Sequence, residues 1–489
     1  MSPPETTTTQ KEPALSIKEP NLVQNGNNQH QIPMDVHTIR RSTYKNLIIV
    51  SLGFLFLFTA FQALQNLQSS IHTDAKLGLA SLCVIYASLV LSCMFVPPIL
   101  IDKLGAKYTI IVAMSGYVVY TLSMFYPHWG TLIPASILLG TGAAPLWASK
   151  CAYVTTMGIR LGRSTGQSAD IIITKLFGIF FLVFQSGQIW GNLIASQILE
   201  PTGSNSTDDF DVSEKCGANY CPSTILNADR VAEPSTVKIL MGIYLVFGFL
   251  AMLVIFFFLD KIELESSAEN KERGNCSLFI STLKFLRERK MQLLIPITMF
   301  SGLEQGFVFA DFSKAYVTCS IGIEKVGLIM IAFGVVDAFF SLFLGKIVEW
   351  TGRPTMIGFG FLVNMAVLIL FLTLTPSKNT VYVFYLGAAL WGFSDAVWQT
   401  QINAFYGVLF PTQQEAAFSN YRLWESIGFV ISFAYGDVIC VDAKIYILMV
   451  VMCIGCALYG VIEVMRRRES ASAEIVALNA KTEEVQIKD

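Results

Sequence analysis

Apolar residues run through this chain in twelve long stretches separated by short polar breaks. The stretches cover residues 46–64, 79–101, 108–125, 132–157, 176–199, 237–259, 293–310, 326–348, 356–374, 381–405, 423–440 and 445–464. A helix that crosses the hydrocarbon core of a bilayer needs about 20 such residues, because the core is about 30 Å thick and each residue rises about 1.5 Å. Lipid offers no water to the backbone, so each stretch must be helical to satisfy its own amides. The pattern predicts an all-α membrane protein with twelve transmembrane helices. Two pseudo-symmetric six-helix bundles, 44–259 and 292–464, would be joined by a charged linker, 260–291. The ends, 1–43 and 465–489, are polar, and neither buries enough apolar surface to order itself. They are expected to be disordered tails, and the first has no apolar core of a cleaved signal peptide.

Two polar turns repeat. Between the second and third stretches the chain reads PILIDKLGAK at 98–107, and between the eighth and ninth it reads GKIVEWTGR at 345–353. Asp102 aligns with Glu349 and Gly105 with Gly352; a glycine there tolerates positive φ in a tight turn. Similar spacing pairs Trp147 with Trp398 and Gly178 with Gly428. Either turn alone is weak, but both at equivalent places indicate parallel repeats, the signature of two-halved transporter folds.

Charge orients the chain. Arg40, Arg41, Lys45, Lys103, Lys107, Arg160, Arg163 and Lys175 fall on one side, with the basic residues of 261–290, Lys346, Arg353 and Arg466 to Arg468. Lys76, Arg230, Lys238, Lys314, Lys325, Lys378 and Lys444 fall on the other. Positive charge stays inside, so both termini are expected to be cytoplasmic. The loop 200–235 then faces outward, where Asn205 heads a glycosylation sequon. Cys216, Cys221, Cys319 and Cys440 lie on or near that oxidising face. Their connectivity is not legible in sequence; pairing Cys216 with Cys221 needs the least chain movement, and Cys319 with Cys440 would follow.

Composition narrows the function. The chain is 53% hydrophobic and 14% charged with a formal net charge of −2; soluble domains carry about 25% charge. That balance argues against nucleic acid as a partner. No metal-binding or nucleotide-binding pattern survives its context, and the four His all lie outside the apolar stretches. No cofactor and no enzyme activity are expected.

Ionisable groups within apolar helices cost about 2.5–3.5 kcal/mol on insertion scales, which makes each a functional candidate. The second half holds Glu304, Asp337, Asp395 and Glu425. The first half offers Gln62, Gln65, Gln185, Gln188, Asn192 and Lys150. This asymmetry would suit a cation or proton site lined by the second half. Structural roles compete: Arg422 and Glu425, three apart, would pair on one helix face, Asp337 would bond a neighbouring helix, and Lys150 would snorkel to the cytoplasmic interface.

The two turns resemble the G-x-x-x-D-x-x-G-[RK] turn of the major facilitator superfamily. The copy ending in Arg353 carries Glu for Asp, and the other has Pro98 in place of its first Gly. The resemblance implies that each acid sits near the start of a helix in the opposite half. Asp102 would face Asn420 and Arg422, Glu349 would face Lys175, and both would hold the cytoplasmic side shut. Longer runs are SILLGTGAAPLW at 136–147, FGIFF at 177–181, DAVWQTQ at 395–401 and EAAFSNYRLWE at 415–425. These resemble the Unc-93 family, in particular its homologue A branch. That resemblance implies a polytopic membrane protein that regulates ion channels, with two-pore potassium channel subunits as partners; the tails carry no convincing dileucine or tyrosine sorting signal, so the cell membrane is expected. A proton- or cation-coupled solute transporter and an escort for other membrane proteins are the alternatives. Oligomeric state is not legible.

Overall fold

A computed structural model describes residues 36–70, 75–167, 169–199, 215–222, 233–262, 285–377, 380–410 and 414–486. Among them there is no strand. The helices are α1 (Val36–Leu67), α2 (Ala75–Ser123), α3 (Trp129–Thr165), α4 (Ala169–Ile198), α5 (Pro234–Phe258), α6 (Arg289–Ile321), α7 (Glu324–Thr351), α8 (Arg353–Thr373), α9 (Val381–Leu409), α10 (Gln414–Ala434) and α11 (Val441–Gln486).

Ten helices among the described residues are long and apolar enough to span a membrane. The expected stretches 108–125 and 423–440 are mostly helical too, in the second leg of α2 and in α10, but fall outside that ten. Both tails need correction. Helix α1 already begins at Val36, and α11 runs on to Gln486. Ala, Glu, Leu, Lys and Gln make up most of ASAEIVALNAKTEEVQ and are good helix formers even where no long apolar run marks them.

Local sequence sets the helix ends. The His128 ring accepts from Gly130 N, and Thr131 Oγ1 accepts from the His128 amide, so α3 starts on a reciprocal cap. It ends on Gly166 at φ 68°. The two repeated turns match in backbone: Gly105 has φ 75°, ψ 165°, and Gly352 has φ 81°, ψ 151°. Side chains disfavour that region strongly, so the repeat seen in sequence is a repeat in geometry. The tryptophan pair agrees: Trp147 meets Phe54 of α1 edge-on at 5.6 Å, and Trp398 meets Phe300 of α6 edge-on at 5.6 Å. The glycine pair is looser. Gly428 lies against the Met299 carbonyl, whereas nothing crowds Gly178.

Helix packing follows the same symmetry. In the first half α1 lies against α4 and α5; in the second α6 lies against α10 and α11. Across the halves α2 packs on α10 and α4 on α7. Tyr86 of α2 stacks on Phe429 of α10 at 4.2 Å. A side chain at Gly327 would meet the Asn192 carbonyl at 2.3 Å, so the α4 and α7 backbones touch there.

The cysteines pair against expectation. Cys216 bonds Cys319 and Cys221 bonds Cys440. A tight turn at Gly217–Asn219 separates Cys216 from Cys221 and sends them to different helix ends. The Val441 amide donates to the Tyr220 carbonyl at 3.0 Å, fixing the segment on the second half. These bridges close spans of 103 and 219 residues, and longer loops lose more unfolded-state freedom on closure. Asn205 and most of the linker lie outside the described residues.

Candidate functional site

The four candidate acids of the second half are all buried and have different surroundings. Glu304 on α6 is fully buried, and Asp395 on α9 is 5% exposed. Their carboxyls lie within hydrogen-bond reach of each other. The Trp391 indole N–H donates to Glu304 Oε2, and Gln305 Nε2 donates to Asp395 Oδ1 at 2.8 Å. Glu304 Oε1 has no donor. No cation among the described residues pairs with either carboxyl. Two buried carboxyls in contact cannot both stay ionised without a cation or a proton between them. The pair therefore has the chemistry of a proton or small-cation site.

Helix geometry explains the pairing. Trp391 and Asp395 stand four residues apart, one above the other on α9. Glu304 faces both from α6. Trp391 is sandwiched by Phe307 and Phe371, at 5.5 and 5.8 Å between ring centres, which fixes the indole N–H towards the acid.

Glu425 is instead saturated. Its oxygens accept from Tyr421 at 2.8 Å, Gln399 at 3.2 Å and Arg422 at 2.7 Å. The Arg422 pairing expected from spacing is present, so this acid has no spare charge. Asp337 on α7 accepts from Ser341 at 3.2 Å and sits 3.5 Å from Gln185 Nε2 of α4. It joins the halves, as a structural carboxyl would.

Lys150 departs from expectation. It is 1% exposed and does not reach an interface. Its ammonium lies 4.4 to 5.1 Å from the rings of Phe180, Phe181, Trp147 and Phe177. Cation–π attraction is stronger once water is excluded, and the cage stands where Lys150 has no carboxylate partner among the described residues.

The Asp102 half of the expected lock is not formed among the described residues. Asp102 is exposed and makes no ion pair among the described residues, while Arg422 is engaged by Glu425. The Glu349 side chain lies outside the described residues. Arg353 packs over Phe405 at 5.1 Å. The same face is tied elsewhere: Asp260 accepts from Lys45 at 2.7 Å and Asn46 at 2.9 Å. Partial burial would raise the Asp260 pKa, but those two donors outweigh it and hold the carboxyl below its ordinary value of 3.8.

Sequence reasoning missed the opposite end. Lys444 bonds Asp311 at 2.6 Å and Lys314 bonds Asp437 at 3.0 Å, all largely buried. Asp311 and Lys314 lie where α6 widens into a π-helical stretch, Val308–Thr318. The spacing of Asp311 and Lys314 was a usable signal, but both lysines read as plain outer-loop charge.

Comparison with known proteins places this geometry. The family described as "Ion channel regulatory protein UNC-93" matches residues 69–462. The "Protein unc-93 homolog A" of Xenopus laevis is 47% identical over 438 residues, 88% of this chain and 95% of that protein. The Homo sapiens protein of the same name is 43% identical, over 86% of this chain and 93% of its own length. The Caenorhabditis elegans protein named "Putative potassium channel regulatory protein unc-93" is 36% identical over 81% of this chain and 57% of its own length. In structure the chain resembles a mutant of the nucleoside transporter NupG, with a TM-score of 0.62 and 13% identity over 86% of this chain and 99% of that one. A D-xylose–proton symporter gives a TM-score of 0.60 at 11% identity, over 85% of this chain and 95% of that one. Likeness at such low identity establishes the major facilitator fold and nothing about cargo.

Proposed function

Because this chain belongs to the Unc-93 family of multi-span membrane proteins, we propose that it is a non-catalytic regulatory subunit of an ion channel. The partner is a potassium channel, of the two-pore class, and the site of action is the cell membrane. The match of the channel-regulator family over 69–462 carries this reading. The name of the Caenorhabditis elegans relative supports the potassium channel as partner. Affinity capture tests it: a tagged copy, co-expressed with a two-pore potassium channel and extracted in mild detergent, retains the channel. Loss of the channel from the captured fraction at equal expression would contradict it.

A second reading has one observation in its favour. The Glu304–Asp395 pair is buried without a counter-charge among the described residues, which suits proton- or cation-coupled solute transport. Purified protein in liposomes would then take up solute down an imposed proton gradient with no partner present. Under the regulatory reading these liposomes stay empty.

A further inference from the structure

On the face that carries the start of α1, three helix ends enclose a cleft of about 180 Å³. Arg40 and Tyr44 come from the first turns of α1, Thr165 from the last turn of α3 and Lys175 from the second turn of α4. Gln167 closes the rim, and buried Leu161 and Ile172 form the apolar floor. Neither Arg40 nor Lys175 makes an ion pair among the described residues, and no carboxylate is among the described lining residues. Ile172 sits in the first turn of α4, whose amino end carries partial positive charge. Two cations with no ion pair among the described residues, a phenol and an amide thus converge on one small hollow.

We propose that this cleft binds a phosphate-bearing anion, such as the headgroup of an acidic phospholipid. Size supports a single phosphate group. Sites for drug-sized ligands run to about 300–1,000 Å³, so a whole nucleotide does not fit, whereas one phosphoryl group does. Arg40 supplies a planar fork that matches two phosphate oxygens, and Lys175 a point charge. Tyr44 and Gln167 supply neutral donors. Depth supports a lipid: the apolar part of α1 begins just beyond Tyr44, at Leu47, which sets the cleft at headgroup level. Acidic lipids concentrate on the cytoplasmic leaflet, the side that the charge distribution of the loops assigns to this face. The inference needs no channel and stands apart from the proposed function.

The test uses the full chain in phosphatidylcholine nanodiscs, titrated with a fluorescent short-chain phosphatidic acid, whose headgroup is a single phosphate. Saturable binding is expected. A basic residue near the surface contributes about fivefold to such affinity, so Arg40→Gln and Lys175→Gln each weaken binding about fivefold, and the double variant about thirtyfold. Arg40→Lys keeps the charge but not the fork, and recovers part of the affinity lost in Arg40→Gln, which separates lost contact from lost fold. Lys238→Gln, at the far end of the first half, changes nothing. Inorganic phosphate that displaces the probe at comparable concentration identifies a free anion as the occupant; displacement by the lipid alone identifies the membrane. Wild-type affinity in the double variant, or no saturable binding by the wild type, overturns the proposal.

Discussion

Glu304 and Asp395 meet between α6 and α9, each buried. Both were legible as ionisable groups inside apolar helices. Their contact was not, because it depends on the rotation of α6 against α9. Trp391 was equally hidden: a tryptophan in an apolar run reads as core, and only its N–H makes it a partner. A structural acid has to accept one hydrogen bond, and an amide can do that. Glu304→Gln should therefore shift the thermal midpoint in detergent little. Glu304→Leu leaves the indole N–H unpaired in a dry site, at a cost of about 1–3 kcal/mol, and should lower the midpoint clearly. Equal midpoints for the two variants would show that the Trp391 bond contributes nothing. Lys150 carries the opposite lesson. Length and amphipathic character suggested an interfacial lysine, but four aromatic side chains from α3 and α4 hold its charge inside.

At the scale of elements, the repeated turns share the backbone that their glycines imply, and Asp102 makes no ion pair among the described residues. Glycine at 105 and 352 could be predicted from spacing, and both adopt a conformation nearly closed to other residues. Gly105→Ala and Gly352→Ala should each cost about 1–3 kcal/mol, seen as a lower thermal midpoint. Asp102→Ala, at an exposed position, should stay within about 0.5 kcal/mol of the wild type. A larger effect of Asp102→Ala would reinstate the ion-pair lock. Disulfide connectivity was out of reach, since it depends on how the outer loop lies across the second half. It makes a sharp expectation: Cys221→Ser should free Cys440 for a membrane-impermeant maleimide and leave Cys216 bonded. Labelling of Cys216 in that variant would restore the local pairing. The tail helix after Val464 carries no long apolar run, so only helix propensity marks it in the sequence.

For the whole molecule, the two-halved architecture was the most legible property, because lipid leaves the backbone one choice and because the halves repeat. Orientation is the next level. With the amino terminus inside, Asn205 should carry a glycan and Asn275, also in a sequon, should not. A glycosidase-sensitive shift that survives Asn205→Gln and disappears in Asn275→Gln would invert the chain. Function is the least legible, since the same fold serves transporters and, by family, a channel regulator. What separates them is whether the buried carboxyl pair must change charge in each cycle. The most direct measurement is the current of a two-pore potassium channel, recorded alone, with this protein, and with its Glu304→Gln, Asp395→Asn variant at matched surface expression. The regulatory account predicts that wild type and variant alter the current alike in amplitude or gating, while the protein without the channel passes none. A channel current unchanged by the wild-type protein would contradict it.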